Sequence, residues 1–134
     1  MKNLFCTHNQ SLALKELGFD EPCFAFYAIP NVGNKLFFDI DPDDGELTSL
    51  NQNQIYHNNL SEVGRISAPL KSQVFEWFRE KYGYWSYIKE ATKGTCRFNI
   101  EKFDEKFFNS GLFGSYDEAE SACIDKLIEI VKNR

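Results

Sequence analysis

The chain is poor in the side chains that most enzymes use near neutral pH. Its 134 residues include two histidines, His8 and His57, and neither lies in a recognisable nucleophile motif. The glycine-rich signatures of phosphate-binding and dinucleotide-binding loops are also missing from the sequence. We therefore expect no enzyme activity, no catalytic residue and no cofactor. A small enzyme with a site assembled in space from His57 or a thiol is the alternative.

Cysteines and long apolar runs are equally sparse. The four cysteines are dispersed, and no two have the spacing of a zinc or C-x-x-C motif. No stretch approaches the roughly 18 apolar residues of a membrane span, and residues 1–10 lack the apolar core of a signal peptide. These features predict a cytoplasmic protein with buried, reduced thiols and no membrane contact.

The acidic cluster between Asp39 and Glu46 invites a calcium interpretation. In an EF-hand frame that starts at Asp39, however, Asp44 stands at the required glycine and Leu50 at the required bidentate glutamate. We therefore expect a solvated turn and no metal site.

Charge is distributed unevenly along the chain. Residues 1–66 carry nine acids and four bases, whereas residues 67–134 carry eleven of each, so the net charge of −5 belongs to the first half. An acidic protein repels nucleic-acid phosphates, which disfavours binding through phosphate contacts. The second half has no net charge, so a local basic face within it is compatible with the sequence.

Hydrophobic periodicity predicts one α+β domain over residues 1–134, with three helices and two β-hairpins in the order α-β-β-α-β-β-α. We expect one sheet with the helices packed on one face. The helices are predicted at about 9–17, between Ser67 and Gly83, and after Ser115; the hairpins are predicted at about 23–40 and 84–100. Residues 103–113 are ambiguous, with an edge strand near 111–113. Residues 41–66 form an Asn/Gln-rich polar insert, with either a short element near 54–56 or a mobile functional loop.

Helix-end signals are clear at two places. Thr7 and Gln10 have capping-box spacing before the first helix, and Gly18 suits the left-handed position after it. Ser115 and Glu118 have the same capping-box spacing before the last helix.

Aromatic side chains are concentrated in residues 75–87, where seven of thirteen residues are Phe, Tyr or Trp. If Tyr84 faces the core of the following strand, Trp85 and Tyr87 face outward together with Lys89. Exposed Trp and Tyr beside an arginine match the composition of interface hot spots. The alternative is that a further layer, such as residues 41–66, covers them.

The predicted binding residues are Trp77, Arg79, Trp85, Tyr87 and Lys89. The leading hypothesis is a non-enzymatic module that binds an unidentified protein partner, with homo-oligomerisation through the same patch as a further possibility. The alternative is single-stranded nucleic acid stacked on the aromatic sheet face, with Lys89, Lys93 and Arg97 nearby.

Three stretches of the chain carry a family resemblance. They are residues 15–23 (KELGFDEPC), residues 68–70 with 77–82 (APL and WFREKY), and residues 116–129 (YDEAESACIDKLIE). Together they resemble a family of small uncharacterised proteins from mobile-element and prophage regions of gut anaerobic bacteria. The resemblance implies an intracellular accessory role and carries over no functional residue.

Overall fold

The computed structural model describes residues 2–28, 33–38, 65–103 and 105–134. The chain forms two compact units, Met1–Leu70 and Lys71–Arg134. Within the described residues, three α-helices and six strands give an α+β fold, in which the strands form two separate three-stranded antiparallel sheets. The predicted α+β class is confirmed. The prediction of a single sheet is wrong.

The first unit is built on a central strand that pairs on both sides. Its elements are a 3₁₀ turn at Lys2–Leu4, α1 at His8–Glu16, β1 at Ala25–Ala28, β2 at Leu36–Phe38 and β3 at Arg65–Ala68. β1 lies between β2 and β3. Phe5 and Tyr27 are buried in the core of this unit, and the Tyr27 hydroxyl donates a 2.7 Å hydrogen bond to the carbonyl oxygen of Cys6.

The ends of α1 follow the local sequence signals. The Thr7 hydroxyl accepts from the Gln10 amide at 3.1 Å, and the Gln10 side chain accepts from the Thr7 amide at 3.0 Å. Gly18 adopts φ 93°, and the Phe19 amide donates back to the Leu14 carbonyl at 2.9 Å. The predicted capping box and glycine stop are both confirmed, because each depends on residues within one turn.

The second unit has the chain order α-β-β-β-α. Its elements are α2 at Lys71–Tyr82, β4 at Tyr84–Thr92, β5 at Thr95–Lys102, β6 at Glu105–Asn109 and α3 at Tyr116–Lys132. β5 is the central strand, and α3 packs against β5 and β4 while α2 contacts β4 and α3. The Ser115 hydroxyl accepts from the Glu118 amide at 3.1 Å, whereas the Glu118 carboxylate accepts from the Gly114 amide. The predicted N-cap at Ser115 is therefore confirmed, whereas Glu118 bonds the Gly114 amide in place of the Ser115 amide that the predicted capping box requires.

The single-sheet prediction fails because each hairpin acquires a third strand of its own. β3 occupies the end of the predicted insert, and Ser67 pairs opposite Phe26 instead of capping α2, which begins at Lys71. β6 lies within the ambiguous residues 103–113, and Phe113 forms an isolated bridge to Cys96. Along the described part of the chain, the helices and strands therefore follow the order α-β-β-β-α-β-β-β-α.

Several expectations fall on residues outside the described ranges. They include His57, the acidic cluster of residues 39–46, and the element predicted near residues 54–56. The four cysteines do lie in the described part of the chain, and all are buried free thiols, as predicted. In that part, no helix has the length and apolar character needed to cross a membrane.

Candidate functional site

The second sheet has one buried and one exposed face. Along β4, Tyr84 is buried, whereas Trp85 and Tyr87 are 49% and 46% exposed. Along β5, Phe98 is buried and Arg97 is exposed. Because side chains alternate across a strand, this pattern defines two faces. The prediction that Trp85 and Tyr87 point outward is confirmed, and Lys89 is exposed beside them.

We call the exposed side of this sheet the outer face. Its residues on β4 and β5 lie opposite one another in three cross-strand pairs: Trp85 with Glu101, Tyr87 with Asn99, and Lys89 with Arg97. Directly opposite side chains in an antiparallel pair lie about 4.5–5.5 Å apart at Cβ and interact. The outer face therefore places two aromatic rings in a row, flanked by cations at one end and by a carboxylate at the other.

Arg79 reaches this surface from the last turn of α2. Its guanidinium carbon lies 5.1 Å from the centroid of the Trp85 ring. That distance is within the range of a cation–π interaction, which arginine makes more often than lysine. The contact restricts the orientation of an otherwise exposed indole. The structure thus brings together Arg79, Trp85, Tyr87 and Lys89 of the predicted site.

Trp77, the fifth predicted residue, lies elsewhere. Its side chain is only 7% exposed, and its ring packs edge-on against Phe78 and Tyr82 at centroid distances of 5.1 and 5.4 Å. Val74, Trp77 and Phe78 form the buried stripe of α2, since residues three and four apart share one side of a helix. Trp77 therefore belongs to the core of the second unit and is excluded from the outer face.

The opposite face of the sheet is packed against α3, which carries the buried Cys123 thiol. Burial raises the pKa of the Cys123 thiol to about 12, against a smaller opposing effect of the Ser86 hydroxyl. In the first unit, burial and the nearby Glu21 and Asp20 raise the pKa of Cys23 to about 12. Both thiols are protonated at neutral pH, and a protonated thiol is a poor nucleophile and metal ligand.

Within the residues that the structure describes, no three His, Cys, Asp or Glu side chains are grouped so as to hold a metal ion. His8 is half-buried, and its ring lies 5.5 Å from the Tyr27 ring in an edge-on contact. These residues give His8 a packing role in the first unit.

An open cavity of about 280 Å³ lies between α3 and the strand segment that follows β6. Its floor consists of stacked phenyl rings, with Phe98 5.7 Å from Phe108 and 5.9 Å from Phe113. Lys126 already lies over this floor, with its Nζ 4.4 Å from the Phe108 centroid and 3.3 Å from a Glu129 carboxylate oxygen. The aromatic floor and its cation are thus already paired with each other.

Sequence reasoning missed Asn99 and Glu101 as members of the outer face. A two-residue turn such as Lys93-Gly94 fixes which residues of a regular hairpin lie opposite one another. Counting back from that turn requires allowance for the irregularity between Glu90 and Thr92. That irregularity shifts the register by one residue and is not visible in the sequence.

The fold and site together define an α+β protein with an exposed aromatic face on its second sheet. Comparison with protein-family models, curated proteins and solved structures found no match to this chain.

Proposed function

We propose that the chain is a non-enzymatic binding module that contacts a protein partner through the outer face. The observation that carries this proposal is the exposure of Trp85 and Tyr87 side by side on one strand, at 49% and 46%. Trp, Tyr and Arg are the residues most enriched among interface hot spots. Because each ring is already about half buried, a partner that covers the rest could add roughly half of the 1.5–3 kcal/mol that full burial of a large apolar side chain contributes.

The neighbours of the two rings suit such a role. Arg79 holds the Trp85 indole before any partner arrives, which reduces the side-chain entropy lost on binding. Lys89, Arg97 and Glu101 provide a charged rim, and Asn99 provides an amide between them. An aromatic centre with a polar rim is the usual anatomy of a protein interface.

The accessory role implied by the family resemblance agrees with a protein that acts by binding a partner. The protonated state of Cys23 and Cys123 supports a non-enzymatic role, because neither thiol is available as a nucleophile near neutral pH.

A comparative capture experiment tests the proposal. The tagged chain is used as bait in a lysate of cells that express it, beside Trp85→Ala/Tyr87→Ala and Tyr116→Ala. Tyr116 is a matched control, because it is an exposed tyrosine, 53% accessible, at the start of α3. We expect one or more proteins to be retained by the wild type and the control and lost from the double variant. Equal retention by all three baits would contradict the proposal.

The second candidate function is stacking of single-stranded nucleic acid on the same face. It is favoured by a specific observation: three cations, Arg79, Lys89 and Arg97, surround the rings against one carboxylate, Glu101. Rings at alternate positions of a strand lie about 6.6 Å apart, and each can stack a base regardless of its identity.

Tryptophan fluorescence separates this candidate from the first. Oligonucleotides are titrated at low salt into the wild type and into Trp85→Phe, which keeps a ring but removes the reporter. Quenching that is lost in Trp85→Phe and weakened by salt would support stacking. Unchanged fluorescence of the wild type would remove this candidate and leave the protein partner.

A further inference from the structure

β4 lies at the edge of the second sheet. Eight of its nine residues pair with β5 on one side, and no strand in the described part of the chain pairs with it on the other. The residues from Tyr84 to Lys89 contain no proline and no register shift, and the irregularity begins only after Glu90. A long, regular edge strand is a template for pairing with another strand.

The hydrogen bonds of β5 reveal which backbone groups of β4 point toward this free edge. The amide and carbonyl of Cys96 are both bonded to Phe113, on the side of β5 away from β4. The residue opposite Cys96 on β4 is Glu90. The two therefore form a non-hydrogen-bonded pair, in which the backbone groups of each residue point away from the other strand. The amide and carbonyl of Glu90 face the free edge.

Phe98, two residues further along β5, has the same orientation as Cys96. The Phe98 carbonyl accepts from the Ser110 amide, and the Phe98 amide donates to the Ser110 hydroxyl at 2.8 Å, so Phe98 also turns away from β4. Its cross-strand neighbour is Ile88. Hydrogen-bonded and non-hydrogen-bonded pairs alternate along an antiparallel ladder. The backbone amides and carbonyls of Ser86 and Tyr84 therefore point to the same side as those of Ile88. The free edge thus carries the amides and carbonyls of Tyr84, Ser86, Ile88 and Glu90.

We propose that a second copy of this chain pairs with β4 along this edge, antiparallel and with Tyr87 on the two-fold axis. Two copies of an antiparallel edge form a closed, isologous contact and a continuous sheet. In this register Ser86 pairs with Ile88 of the second copy, and Tyr84 pairs with Glu90. Every backbone group that faces the edge is then bonded to the second copy.

The side chains of the outer face are complementary in the same register. Tyr87 meets Tyr87 of the second copy, and Lys89 of each copy lies opposite Trp85 of the other. A lysine beside an indole makes a favourable cation–π contact. Glu101 lies on β5 directly opposite Trp85, so it adds a negative charge next to the incoming lysine ammonium group. The end of each copy that carries Glu101 therefore meets the end of the other copy that carries Lys89.

Neighbouring registers satisfy fewer of these contacts. Shifting the axis to Ser86 leaves Glu90 without a backbone partner and places Lys89 opposite Gly83. Shifting it to Ile88 leaves Tyr84 unpaired and places Trp85 opposite Ala91. Tyr87 is the midpoint of the regular edge from Tyr84 to Glu90, so only this centre uses the whole edge. The dimer does not depend on a protein partner for the outer face, because its backbone hydrogen bonds are made by the strand edge.

Disulfide trapping tests both the pairing and its register. On the axis, the two copies of a Tyr87→Cys variant would have Cα atoms about 4.5 Å apart in a non-hydrogen-bonded pair, which falls within the range of disulfides. The two copies of Lys89→Cys would be about 13 Å apart along the strand, too far to bridge. We expect Tyr87→Cys to form a covalent dimer under mild oxidation while Lys89→Cys stays monomeric. A mixture of Trp85→Cys with Lys89→Cys should cross-link. The native thiols are buried, so the wild type provides the background.

Sedimentation equilibrium supplies a second, independent measurement. The wild type should have twice the 15.6 kDa mass of the chain. Tyr87→Lys should halve that mass, because it places two ammonium groups against each other on the axis. Asn109→Lys, an exposed position on β6, should remain dimeric. A monomeric wild type, or equal cross-linking of Tyr87→Cys and Lys89→Cys, would overturn the proposal. A dimeric wild type whose partner capture is the same in all three baits would contradict only the proposed function.

Discussion

Arg79 and Trp85 join the end of α2 to the outer face of the second sheet, with the guanidinium carbon 5.1 Å from the indole centroid. The arginine is half-buried, whereas the indole is exposed. A partly exposed cation–π contact of this kind contributes about 0.5–1 kcal/mol. The contact ties an exposed aromatic side chain to the folded core of its own unit.

The first prediction concerns this pair. Arg79→Ala should lower the free energy of unfolding by about 0.5–1 kcal/mol, and Arg79→Lys should lose part of that, because lysine cannot stack its charge as a plane. Partner capture should weaken in the same order. Urea unfolding of the two variants checks the stability effect. A larger loss for the lysine variant than for the alanine variant would be inconsistent with a role for the guanidinium plane.

The second prediction separates the core from the outer face. Phe78 is fully buried in α2, whereas Trp85 is exposed. Phe78→Ala should cost about 3–5 kcal/mol of unfolding free energy, because it leaves a cavity. Trp85→Ala should cost about 1 kcal/mol or less, the size of its contact with Arg79. Chemical denaturation measures both. Comparable losses at the two positions would mean that Trp85 is packed as firmly as the core.

The third prediction concerns the turn between β4 and β5. Gly94 adopts φ +83°, where a side chain is strained even though nothing lies within 4 Å of the added Cβ. Gly94→Ala should therefore lower the unfolding free energy by about 1–2 kcal/mol. Gly111 also has open space around it but no positive φ, so Gly111→Ala is a matched control and should cause no such loss. Equal effects in thermal unfolding would show that the turn does not need glycine.

The fourth prediction concerns pH. Burial raises the pKa of the Glu120 carboxyl, against a smaller lowering by Lys71, whose Nζ lies 3.7 Å from a Glu120 oxygen. Because the folded pKa is raised, the contribution of this group to stability is fully present below the unfolded pKa. It is lost as the pH rises through the folded pKa.

Glu120→Gln removes that titration. The stability of the wild type relative to Glu120→Gln should therefore fall as the pH rises from about 4 to about 7. Urea unfolding at the two pH values measures the difference, and Glu129→Gln, an exposed position on the same helix, serves as the control. The opposite slope would mean that Lys71 outweighs burial at Glu120.

Much of the fold could be predicted from local sequence signals. The caps at Thr7 and Ser115 and the stop at Gly18 depend on residues within one turn, and all three hold. β3 was missed because it has four residues and finds its partner far along the chain, in β1. Pairing between distant segments leaves no periodic signal in a strand of that length.

The candidate site was also predicted only in part. Alternation along β4 correctly placed Trp85 and Tyr87 on one side, because the period of a strand is local. Trp77 was included with them, although its spacing from Val74 also fitted the buried stripe where the structure places it. The stacking of Arg79 on Trp85 depends on how α2 meets β4 after Gly83, which the sequence pattern does not specify.

Site-specific photo-crosslinking gives the most direct test of the outer face as a binding surface. A photoreactive phenylalanine analogue is placed at Tyr87, and separately at Tyr116, in the chain as expressed in its own cells. The account predicts adducts with another protein from position 87, in addition to any covalent dimer of the chain itself, and none from position 116. The same adducts from both positions, or no hetero-adduct from position 87, would contradict it.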